Sequence, residues 1–142
     1  MFSLNQRKKH TKFIINHSKH ALYNITGNHK LSGFILVIFH WLIIGIPFLY
    51  ILFGKVNTLY YILSCLVYVV YGLQIYFNGC ILARIEKHLF ETTEWWGPWI
   101  VLFKPLEYIG IYMNTNLANN IINFGILLLT IVIIYKIDIL QK

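Results

Sequence analysis

The chain has 142 residues, of which 58% are hydrophobic and only 12% charged, with a mean hydropathy of +0.63 and a net charge of +7. A soluble domain carries about 25% charged residues, so half of the usual polar surface is missing. This excludes an ordinary water-soluble domain and points to lipid as the solvent for most of the surface. The length suits one domain, and the two cysteines, Cys65 and Cys80, make no disulfide framework.

Residues 1–30 are polar and basic. Arg7, Lys8, Lys9, Lys12, Lys19 and Lys30 lie there with no acid among them. The segment is too long and mixed for a secretory leader. Partial helical amphipathicity from Phe13, Ile14, Ile15, Ala21, Leu22 and Tyr23 predicts a basic cytoplasmic tail lying on an anionic membrane face. His10, His17, His20 and His29 are too loosely spaced for a metal site, and no metal or cofactor is expected. Asn16 and Asn24 head glycosylation sequons that matter only if the tail is lumenal.

Residues 31–142 read as an all-α transmembrane bundle. The first span, about 31–54, is long enough for the ~30 Å hydrocarbon core. It contains His40, and Pro47 is expected to kink it. A short turn leads to the second span, 58–77, so the two form an antiparallel hairpin. An amphipathic helix over 80–91 follows. Ile81, Leu82, Ile85 and Leu89 recur at helical spacing, and Arg84, Glu86, Lys87, His88 and Glu91 face elsewhere. This predicts a helix along the membrane interface with a wet charged face. Trp95, Trp96 and Trp99 then serve as headgroup-level anchors. Residues 97–113 are apolar but carry Lys104, Pro105 and Glu107. They are either a fourth, proline-interrupted span or a re-entrant hairpin. The last span is 117–135.

Charge asymmetry favours four crossings. Both termini then face the cytoplasm, with every Lys and Arg outside 97–113 on that side except Lys55. Lys104 and Glu107, at i and i+3, would pair on one helix face.

Few residues suggest chemistry. His40 at membrane depth is a candidate for proton relay or ligation, against a plain reading as a neutral histidine bonded to backbone or tyrosine. Lys104 and Glu107 are candidates for an ion pathway, against a structural pair. Arg84, Glu86 and His88 could act on a lipid headgroup, against a solvated face. Cys80 is a juxtamembrane palmitoylation candidate or a buried thiol. Nucleophile-elbow, zinc-protease and phosphate-loop motifs are absent.

The run Cys80–Leu89, following a helix pair with a histidine in its first member, resembles a family of small bacterial four-helix membrane proteins of unknown function. Their signature is Cys-Pro-Leu-Thr-x-Leu-Glu. Cys80, Leu82 and Glu86 match it, Ile85 replaces a leucine, and Ile81 and Ala83 stand at the Pro and Thr positions. The chain is also similar to hydrophobic membrane proteins of large DNA viruses. Either resemblance implies a four-helix membrane fold and no particular reaction. The composition supports a multi-pass membrane protein with a structural or scaffolding role, in contact with anionic lipid, with other membrane proteins as candidate partners and nucleic acid a less favoured one. The other reading is a small membrane enzyme or proton-coupled carrier using His40, Glu86, Lys104 and Glu107. Convergence of those four side chains would separate the two.

Overall fold

Apolar stretches bounded by asparagine become helices throughout the computed structural model, which describes residues 4–140. The helices are α1 (Leu4–Thr26), α2 (His29–His40), α3 (Ile46–Phe53), α4 (Thr58–Phe77), α5 (Ile81–Phe90), α6 (Pro98–Tyr108) and α7 (Thr115–Leu140). No strand occurs among the described residues. Asn28, Asn57 and Asn114 each turn a side-chain oxygen onto a free first-turn N–H of α2, α4 or α7, which a short amide does well. Asn78 and Glu91 adopt left-handed backbone and end α4 and α5.

A π-helical turn, Trp41–Gly45, joins α2 to α3 without interrupting the helix. Pro47 has no N–H and its ring would crowd the carbonyl four residues back. The wider turn accommodates the proline ring where the sequence predicted a kink. Three helices are long and apolar enough to cross a membrane: His29–Phe53, Thr58–Phe77 and Thr115–Ile139. The segment read as a fourth span forms α6, with only eleven residues. At about 16 Å it reaches half-way through a hydrocarbon core and does not cross by itself.

α7 runs antiparallel to α4. Asn119 lies at Asn78, the Tyr71 hydroxyl donates to Asn123, and Tyr68 to Thr130. At its far end Lys136 Nζ donates to the carbonyls of Ile51, Leu52 and Gly54, at 2.9, 2.7 and 3.1 Å. It thereby caps α3, whose last carbonyls have no helical partner. This places the end of α7 beside the turn between α3 and α4. Ile51, Tyr60, Val67, Leu129 and Ile133 form the core of this block.

A second core joins α1, α2 and α5 through Ile15, Leu36, Ile85 and Leu89, flanked by Ile81 and Leu82. The apolar face expected of the 80–91 helix is therefore turned inward. The basic segment, read as a tail, is a 23-residue helix docked on this core. Residues 1–3, 141 and 142 lie outside the described residues, among them Lys142, which was counted in the charge argument. A third core, Phe103, Ala118 and Ile122, packs α6 on α7 beneath Trp95 and Trp99.

Candidate functional site

α5 runs antiparallel along α2. The Phe90 ring fills the space that Gly33 leaves open, and Glu86 meets His40. Both side chains are fully buried. His40 Nδ1 and Glu86 Oε1 lie 2.7 Å apart. A carboxylate only accepts, so Nδ1 carries the proton. On the opposite edge of the ring, Nε2 lies 3.4 Å from Cys80 Sγ. Thiol, imidazole and carboxylate thus form a single relay.

Local sequence explains how they meet. Gly79, with φ +133°, reverses the chain after α4 and leaves Cys80 as the residue before the first turn of α5. On α5, Ala83 and Glu86 lie on a second buried stripe beside the Ile85–Leu89 face. That stripe meets α2 and the tryptophan loop, so Glu86 does not belong to the wet face expected for it. His40, read as bonded to backbone or tyrosine, has a carboxylate and a thiol instead.

Gly97 closes the site. Its φ of +61° suits glycine. A Cβ there would stand 2.6 Å from His40 Nδ1 and 3.0 Å from Glu86 Oε1, so backbone is sealed against the hydrogen-bonded pair. Trp99 presents its edge to the imidazole and stacks on Phe103. Trp96 stacks on Phe90, and Lys87 Nζ sits 3.6 Å above the Trp95 ring. The three indoles are half-buried walls of this region, whatever depth they take in lipid.

Burial pushes the Cys80 thiol up. The hydrogen bond and charge of His40 outweigh this and leave it below its ordinary value, helped by the Ala83 backbone N–H. The start of α5 adds the positive end of a helix dipole. Lys87 is held below the usual ammonium range by burial, against the opposing pull of Glu107. A cavity of about 80 Å³ opens on Cys80, lined by Arg84, Lys87, Trp95 and Asn119.

The remaining expected site residues are placed elsewhere. Lys104 lies 3.8 Å from Glu107 and 3.9 Å from Glu94, in an exposed surface network. Of the four groups whose convergence was in question, His40 and Glu86 meet, and Lys104 and Glu107 stand apart. Leu82 is half-buried, His88 is exposed, and Arg84 donates to the Asn78 carbonyl at 2.6 Å. Lys8, Lys9, Lys12, Lys19 and Lys30 are on the surface or half-exposed, and Arg7 lies over the Tyr76 ring. Cys80 and Glu86 sit on opposite edges of the imidazole. Among the described residues no group of three such side chains could hold a metal ion.

Gly97 was missed as a site residue, and Cys80 was read as a palmitoylation candidate, a buried thiol or part of a short motif. The available signal was the company they keep: a histidine in an apolar span, and a cysteine and a glutamate within one short motif. Comparison of the chain with protein-family models, with curated proteins and with solved structures gave no match.

Proposed function

We propose that this is an integral membrane protein of three crossings whose Cys80 thiol, activated by His40 and oriented through Glu86, transfers acyl groups. The observation that carries the reading is the relay itself, with 3.4 Å from sulfur to Nε2 and 2.7 Å from Nδ1 to carboxylate. This is the arrangement by which a base activates a nucleophile and a third group holds the base.

Nε2 takes the thiol proton, and the thiolate then attacks the carbonyl carbon of an acyl ester. The tetrahedral oxyanion is met by donors beside the cavity, the Arg84 guanidinium and the Asn119 amide. The ester C–O bond then breaks, Nε2 returns the proton to the leaving alkoxide, and an S-acyl thioester remains on Cys80. Water or a second acceptor releases it. Disulfide chemistry fits less well, because the only other cysteine, Cys65, is exposed in the middle of α4. It lies about 18 Å of helix from that helix's end, far beyond disulfide reach.

For topology, the end of α7 lies beside the α3–α4 turn and so on the far side from α1. Lys and Arg are concentrated around α1 and α5, which supports an N-terminal face in the cytoplasm and a C-terminus opposite it. The contact with anionic lipid belongs to the N-terminal face. The scaffolding reading keeps a specific support: the full burial of His40 and Glu86 also suits a staple between α2 and α5.

Full-length protein in non-ionic detergent, mixed with p-nitrophenyl octanoate, separates the two. We expect a burst of p-nitrophenol and an octanoyl adduct on Cys80, absent in Cys80→Ala and slowed roughly 10²–10⁴-fold in His40→Gln. Thiolate reacts and thiol does not, so alkylation of Cys80 by iodoacetamide should set in at lower pH than that of an ordinary thiol. A Cys80 acylated no faster than Cys65 would leave the scaffolding role.

A further inference from the structure

α1 and α5 enclose an open cleft of about 480 Å³, lined by Asn5, Lys8, Lys9, Thr11, Lys12 and Arg84. Four of these six are cations and none is an acid. The first acid in the chain is Glu86, and its carboxylate is buried against His40 on the other side of α5. The four positive charges therefore share one concavity with no internal counterion among the described residues that line it. Like charges gathered this closely repel, and the arrangement is relieved by an anion of more than one negative oxygen.

Arg84 links this cleft to the thiol. It lines both the basic cleft and the small cavity that opens on Cys80. Its guanidinium is fixed by the bond from Nη2 to the Asn78 carbonyl and has further N–H groups to offer. A planar fork held in place suits a phosphate oxygen on one side and a carbonyl oxygen on the other.

We infer that the α1–α5 cleft binds the phosphate group of an acyl donor, with Lys8, Lys9 and Lys12 on the phosphate and Arg84 directing the acyl carbonyl towards Cys80. This inference rests on the acyl-transfer reading for the role of Cys80, while the phosphate site itself does not. The phosphate chemistry is shared by a phospholipid headgroup and a soluble phosphorylated acyl donor. Lipid around the apolar helices and the adjacency of the cleft to them make the headgroup the simpler source.

The test is a titration of full-length protein in non-ionic detergent with short-chain phosphatidylglycerol, followed by native mass spectrometry. Phosphatidylglycerol is expected to bind. The triple variant Lys8→Gln, Lys9→Gln, Lys12→Gln should weaken it roughly a hundredfold. Removing three charges elsewhere, by Lys19→Gln, Lys30→Gln and Lys55→Gln, should change it by less than about threefold. Equal losses in the two triples would reduce the effect to general charge and overturn the site, as would equal binding of an uncharged diacylglycerol. Competition by inorganic phosphate at equal affinity would replace the lipid source by a soluble one. Cys80→Ala should bind phosphatidylglycerol as the parent does. If it does so while the parent forms no octanoyl adduct, the acyl-transfer reading fails and the phosphate site stands. If the parent forms the adduct and the cleft triple binds undiminished, the reverse holds.

Discussion

The α3–α4–α7 block and the α1–α2–α5 block bury similar side chains but differ in where they keep their polar groups. In the first, the core is Ile51, Tyr60, Val67, Leu129 and Ile133. Large apolar residues such as Ile62, Val69, Phe124, Ile131 and Ile134 stand outward, each about 60% exposed. Inside and outside are alike, as expected where lipid is the solvent and burial is not driven by water. In the second block the outside of α1 is basic, and the inside holds a fully buried acid and imidazole. Burying such groups is costly unless they are paired. Polarity in the first block serves helix ends and helix–helix bonds. In the second it converges on one thiol.

Three substitutions bear on that contrast, each read as thermal stability of the full-length protein in detergent. The largest effect is expected at the relay. Gly97→Ala places a methyl against His40 Nδ1 and forces an unfavourable φ, and should cost about 3 kcal/mol. Parent-like stability there would mean that the loop does not seal the pair, and the blocks would no longer differ in how they enclose polar groups. Next is Lys136→Met in the apolar block, which removes three charge-assisted bonds to the end of α3 and should cost about 2 kcal/mol. A loss equal to that of Gly97→Ala would make the two blocks equally dependent on buried polarity. The smallest is Lys87→Ala. A solvated lysine would be silent, but Lys87 lies on the Trp95 ring, and about 0.5–1 kcal/mol is expected. No change at all would return Lys87 to the wet face of α5.

The three long apolar helices were legible because hydropathy is local: Leu31–Gly54, Thr58–Phe77 and Leu117–Tyr135 differ from the observed helices by at most five residues at either end. The inward face of α5 was legible for the same reason, since Ile85 and Leu89 repeat at helical spacing. The fourth span was not. Residues 97–113 are apolar in composition, but α6 ends at Tyr108 and Gly110, with φ +88°, turns the chain before α7. Composition carries no length of helix. Glu86 was illegible in a different way. One residue from Ile85 on a helix, it reads as exposed unless the helix is covered on two sides, and the second cover comes from α2 and the Gly97 loop. His40, Cys80 and Glu86 were each visible singly. Their meeting depends on α5 folding back along α2, which no local pattern encodes. Docking of the basic helix was hidden likewise, because its core contact is made by a few apolar residues in a polar run, Ile15 with Ile14 and Leu22 beside it.

The π turn at Trp41–Gly45 sets the phase of the first long helix. On a regular α-helix Leu36, His40, Pro47 and Ile51 would fall on one continuous stripe, since seven residues make almost two whole turns. The wider turn shifts the downstream residues by roughly a quarter turn. Leu36 and His40 can then look towards α5 while Ile51 looks towards α4 and α7. One helix thereby serves two partners in different directions. Deleting a single residue from this turn would bring the two halves back into phase and rotate the imidazole away from either the thiol or the apolar block, without altering the identity of any residue in the relay.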